Sequence, residues 1–165
     1  MTVDTSDNRI SHAGNGVTTE FSFPYKFFAN SDLVVIEVDD TTAVETPKVL
    51  DTDFTVTGAG AEEGGTVTAT TEPASGKTWV IERVLPLTQG LDLVENDPLP
   101  AEEVEKAFDK NTMMAQQNAN EIERSVKLPS GFTGTFDGSL PTPVADTAVV
   151  FNAAGTGLAA GPTAD

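Results

Sequence analysis

Asp39, Asp40, Asp51 and Asp53 are the densest carboxylates among the segments that read as strands. Asp51 and Asp53 fall on one side of a strand or turn, as two calcium ligands would. An EF-hand loop is excluded, because its sixth position needs Gly. Solvated turn acids are the simpler reading in a chain rich in acids. Glu62 and Glu63 lie in a Gly-rich turn and read as solvated. Glu82 could pair with Lys77 or Arg83, although Glu82 and Arg83, as neighbours along a strand, point to opposite faces. Paired carboxylates could cleave a glycoside, but with so many acids no pair stands out. His12 is the single histidine, without a motif that would make it a base. Trp79 and the Phe21, Phe23, Tyr25, Phe27 series could stack on a sugar. At strand period they read as core instead. Neither a Walker loop nor a dinucleotide fingerprint occurs. Cysteine is absent, which excludes disulfides, thiol nucleophiles and cysteine-bound zinc. The residues therefore predict no catalytic, cofactor or metal site, and no enzyme.

The charge balance narrows the partners. There are 26 acidic and 9 basic side chains, a formal net charge of −17. Nucleic-acid phosphates need clustered Lys and Arg, so nucleic acid is not an expected partner. Nor is a membrane, since no run approaches the ~18 apolar residues of a span. Met1 to Asp7 has neither the basic nor the apolar region of a signal peptide, which predicts synthesis in a cytosol or loss of an export signal.

Three regions must position these residues. Residues 1–97 predict a β-rich domain. Aromatic residues alternate from Phe21 to Phe27, and Pro24 makes this an edge strand or two short ones. Leu33 to Val38 and Thr78 to Leu85 are the strongest strands. Weaker candidates are Lys48–Leu50, Phe54–Thr57, Thr66–Thr70 and Leu91–Val94. About seven or eight short strands predict a small β-sandwich or barrel, with Phe21, Phe23, Val35, Trp79 and Ile81 as candidate core. The whole is expected to be α+β, mainly β.

Residues 98–128 predict one long helix. Pro100 suits its start, Glu102, Glu103 and Glu105 suit the positive end of its dipole, and Arg124 and Lys127 the negative end. Val104, Phe108, Asn111, Ala115, Asn118 and Ile122 recur at alternating intervals of four and three, the spacing of a coiled-coil seam. Two readings stand. Either the apolar members pack on the sheet and the Asn residues face water, or copies of the helix meet at a symmetry axis with buried Asn setting register. Residues 129–165, rich in Gly, Pro and Ala, predict an extended linker, with at most one short strand at Ala145–Phe151. A linker implies that the natural chain continues beyond Asp165.

The order of several segments carries a resemblance. Ser11-His-Ala-Gly-Asn-Gly-Val-Thr-Thr-Glu-Phe-Ser-Phe-Pro-Tyr-Lys-Phe-Phe is followed by Asp32-Leu-Val-Val-Ile-Glu-Val and Asp51-Thr-Asp-Phe-Thr-Val-Thr-Gly-Ala-Gly. Trp79-Val-Ile-Glu-Arg-Val-Leu-Pro-Leu-Thr-Gln then leads into Pro100-Ala-Glu-Glu-Val-Glu-Lys-Ala-Phe-Asp-Lys-Asn-Thr-Met-Met-Ala-Gln-Gln. Together they resemble the N-terminal virion-attachment domain of tailed-bacteriophage tail fibres and tailspikes, the T7-like tail fibre family. The resemblance covers roughly residues 9–128. It implies a structural virion protein, located in the tail after synthesis in the host cytoplasm. It further implies a homotrimer that docks on tail adaptor or nozzle proteins and carries a distal fibre region for host adsorption. If the chain is complete, it implies instead a short adaptor onto which a separate fibre or spike docks. A stand-alone β-sandwich adhesion or carbohydrate-binding module is the alternative outside this family.

Overall fold

The alternating aromatic and β-branched segments form two antiparallel sheets whose inner faces share one core. The computed structural model describes residues 3, 5–95 and 98–163. These fall into two units, residues 1–125 and 126–165. In the first unit, β1 (Arg9–Ala13), β2 (Glu20–Phe23), β3 (Leu33–Asp39), β4 (Glu45–Pro47), β5 (Phe54–Thr57), β6 (Gly65–Ala69) and β7 (Lys77–Arg83) precede a single helix, α1 (Ala101–Glu123). One sheet runs β1-β7-β3-β4 and the other β2-β6-β5. The fold is mainly β with one helix.

Register decides which residues meet. Val35 lies opposite Ile81, and Ile81 opposite Ile10, so these three share the inner face of the first sheet. Phe21 lies opposite Val67, and Val67 opposite Val56, across the second. Phe21, Phe23, Val35, Trp79 and Ile81 are all buried in one cluster with Phe27, Leu33, Phe54, Val56, Val67 and Ala69. Phe21 and Phe54 contact the Trp79 ring at centroid distances of 5.5 and 6.5 Å. Pro24 ends β2, which is an edge strand, and Pro47 lies in the edge strand β4. Gly64 makes the approach to β6 possible. Its φ is +79°, and a Cβ there would collide with the Phe23 carbonyl.

Several local expectations are corrected. β1 is a strand although Ile10 is its one large apolar residue; its pairing with β7 supplies the order its composition does not. Leu91–Val94 is not a strand, and β4 lies at Glu45–Pro47 rather than Lys48–Leu50. The helix begins after Pro100, which is its N-cap rather than its first residue, and ends at Glu123 rather than running to residue 128. Ser125 lies just past its end, its single hydroxyl hydrogen within reach of the Glu121 and Ile122 carbonyls, both at 2.9 Å.

In residues 126–165 the one short strand expected at Ala145–Phe151 is present, and a second strand pairs with it where composition predicts extended chain. β8 (Thr147–Phe151) pairs antiparallel with β9 (Leu158–Thr163). Asn152 builds the connection, its Oδ1 accepting from Thr156 N–H at 2.9 Å, while Gly155 supplies a left-handed φ of +68°. Phe132, Phe136 and Phe151 form a chain of rings at 6.4 and 6.0 Å. Gly and Pro content hid the second strand, which pairs with the first at only four positions.

Candidate functional site

Helix α1 has two unlike faces. Asp109, Met113 and Gln117, four apart, are its buried residues. At 3.6 residues per turn the stripe Val104, Phe108, Asn111, Ala115, Asn118, Ile122 falls on roughly the opposite side. There Phe108 is 66% exposed and Ile122 57% exposed, and Asn111, Ala115 and Asn118 are exposed as well; Val104 is half-buried. The reading in which these apolar residues pack on the sheet is thereby overturned for Phe108, Ala115 and Ile122. The sheet-facing side has a different, largely polar membership. An unpartnered seam at coiled-coil spacing, bearing an exposed Phe and Ile, can associate with another apolar helix face.

The inward contacts are specific hydrogen bonds. Arg83, 2% exposed at the end of β7, donates to the Lys26 carbonyl at 2.6 Å and to Gln116 Oε1 at 2.7 Å. Burial lowers its pKa, an effect the nearby Asp32 carboxylate opposes, but a guanidinium stays charged. Lys26 Nζ bridges Asp109 at 3.0 Å and Glu62 at 2.8 Å. Burial acts to lower the Lys26 pKa; the two carboxylates outweigh it and raise the value above the ordinary lysine range. Gln117 Oε1 accepts from the Leu85 N–H at 2.9 Å, and Asn120 donates to Asn8 Oδ1 at 2.6 Å. Arg124 reaches Glu82 at 3.4 Å. These groups hold the helix in one register, since each bond requires its own partner. A groove of about 570 Å³ lies beside the helix, lined by Phe28, Leu85, Leu91, Lys106 and Lys110 among others. Its ammonium groups are engaged, Lys106 by Glu103 at 2.8 Å and Lys110 by the Thr88 carbonyl at 2.5 Å.

The remaining candidate residues have structural partners. His12 Nε2 lies 2.9 Å from the Ser22 carbonyl and its ring 5.3 Å from Phe21, which ties β1 to β2. Trp79 is 2% exposed, so its face is no sugar platform; its indole N–H donates to Glu37 at 2.9 Å. Burial alone would raise the Glu37 carboxyl, but the Trp79 N–H and the Lys48 ammonium at 3.1 Å hold it below its ordinary pKa. Asp39 accepts from the Thr41 and Thr42 amides and pairs with Lys77 at 2.6 Å. The Lys77 bond and then those amides hold its carboxyl far below the usual range. Asp53 accepts from the Val49 N–H at 2.8 Å. Glu62 and Glu82, expected to be solvated or paired with Arg83 or Lys77, are bound by Lys26 and Arg124 instead. Among the described residues no three acids or histidines converge as a metal site would require, and no helix is long and apolar enough to cross a membrane.

The helix thus carries an exposed apolar seam on the outside of a small sandwich. The chain is 41% identical over 137 residues to the tail spike protein of Salmonella phage epsilon15. The chain is homologous to a phage tail spike protein. The match takes in 83% of this chain but 13% of that relative. No protein-family model matches the chain. Asp109, Gln116 and Gln117 were not singled out from the sequence. Polar residues on a helix normally signal its solvent side, and only the surplus of apolar residues on the other face hinted at the inversion.

Proposed function

We propose that this chain is the region of a phage tail spike or fibre that anchors it to the tail during host adsorption. In this reading it is a structural, non-enzymatic attachment domain of the T7-like kind. The observation that carries it is the extent of the match: most of this chain corresponds to a small fraction of a long tail spike protein. A compact module shared with so long a protein suits a common docking task better than the spike's whole activity. In this reading the chain is a homotrimer, and Val104, Phe108, Asn111, Ala115, Asn118 and Ile122 line the helix faces that meet at its axis. Exposed Phe108 and Ile122 support this, since burying them among copies removes apolar surface from water. The acidic surface meets a basic surface on a tail adaptor or nozzle protein, and a distal fibre region or second spike protein lies on the other side.

The test is the absolute mass of residues 1–165 by light scattering across a concentration series, followed by binding to purified phage tails. A particle of three times 17.3 kDa that binds spike-less tails, less tightly as salt rises, is the expected result. A monomer at every concentration with no affinity for tails would sink the reading. If such a monomer bound polysaccharide, a stand-alone carbohydrate-binding module would replace it.

A further inference from the structure

Apart from the terminal Thr147–Thr163 pair, the hairpin β8–β9 carries no polar side chain on either face. Val149 lies opposite Ala160 and Phe151 opposite Leu158 on one side, while Val150 lies opposite Ala159 on the other. A strand pair with one side in water alternates apolar and polar residues; an apolar run on both sides marks strands covered on both. Here the cover is missing. Phe151 is 69% exposed and Val149 and Val150 are also exposed, and outside them stand Phe132 and Leu140. Phe136 meets Phe151, but that one ring does not cover two faces. A unit of about 40 residues seldom holds itself together without disulfides, metal or association, and a lone hairpin is marginal. The chain has no cysteine, and the described residues form no metal-binding group. Association remains. Charge indicates with what. Only Lys127 of the nine basic residues, and Asp137, Asp146 and Asp165 of the 26 acidic ones, lie in residues 126–165. The repulsion that opposes contact between identical acidic domains is therefore nearly absent in this unit.

We propose that residues 126–165 are a second assembly element, in which hairpins from several copies of this chain turn their apolar faces onto one another and complete their fold only together. The copy number rests on the homotrimer reading. Because the chain lacks cysteine, single Val149→Cys and Ala160→Cys variants of the full chain can be oxidised with a copper catalyst, with Val17→Cys, exposed in the first unit, as the control. The expected result is covalent dimers from Val149→Cys or Ala160→Cys and none from Val17→Cys. Amides of β8 and β9 should also exchange at least about tenfold more slowly in the associated state than at high dilution. In Phe151→Asp that protection should vanish. A stable trimer whose hairpin amides are unprotected and whose cysteines do not cross-link overturns this proposal and leaves the homotrimer standing. A monomer at every concentration overturns both.

Discussion

The sandwich core and the junction between sandwich and helix are built on opposite principles. The core is apolar and aromatic, and rings from both sheets fill it. The junction rests on Arg83, Lys26, Asp109, Gln116, Gln117 and Asn120, with Met113 as the buried apolar residue of the helix. Apolar burial stabilises without choosing partners. Hydrogen-bonded polar groups contribute about 1 kcal/mol net each but penalise any register that leaves them unpaired. The contrast follows from where the helix puts its apolar residues. Its apolar residues are spent outward, so the inward face must be held by specificity rather than by hydrophobic area.

This contrast can be broken from either side. The largest effect is expected in the core: Phe23→Ala should lose about 3–5 kcal/mol, read as a fall in denaturation midpoint, because a fully buried ring leaves a cavity. A loss below about 1 kcal/mol would mean the two sheets do not share a tight core. Next comes Arg83→Ala, which deprives the Lys26 carbonyl and Gln116 of their donor and should cost about 2–4 kcal/mol. Hydrogen exchange should localise the change to α1 and its contacts, not to β2, β5 and β6. Gln117→Leu keeps the volume but leaves the Leu85 N–H without its acceptor, and about 1–2 kcal/mol should be lost.

Phe108→Asp sharpens the comparison by contrast. The isolated chain should unfold within about 0.5 kcal/mol of the parent, since nothing covers that ring, while any oligomer falls apart in sedimentation. Loss of monomer stability instead would place Phe108 in a contact within the chain. The smallest effect concerns Glu37. Its carboxyl is held below its ordinary pKa in the folded state, so its contribution is present above the unfolded value of about 4.3 and disappears as pH falls through the lower folded value. Glu37→Gln should flatten the acid limb of the stability curve slightly; an unchanged curve would show that the Trp79 and Lys48 bonds do not favour the charged form.

Legibility followed periodicity. Residues of strands β2, β3, β5, β6 and β7 could be read from the chain because Phe, Val, Ile and Thr recur at the strand period. The helix could be read from an uninterrupted run between Pro100 and Pro129. The strand β1 could not, because Arg9-Ile-Ser-His-Ala acquires its role from β7. Of the C-terminal hairpin only β8, within the candidate strand Ala145–Phe151, could be read; β9, rich in Ala, Gly and Pro, pairs with it once Asn152 and Gly155 have closed the loop. His12 was visible as a residue but not as the link between two sheets, since Ser22 is its partner only across the sandwich.

By itself the sequence determined the mainly β class, the single helix, the absence of thiol chemistry, the acidic surface and the 4-3 spacing of the seam. These are properties of composition and local period, which need no neighbour to exist. Only the tertiary structure decided which side of the helix meets the sandwich. Hydrophobicity would have turned Phe108 and Ile122 inward; buried Arg83 and half-buried Lys26, together with the Leu85 amide, required polar partners and selected Asp109, Gln116 and Gln117 instead. The cost of leaving a buried charge or amide unpaired exceeds the gain from covering one more ring, and that inequality leaves the apolar seam facing out.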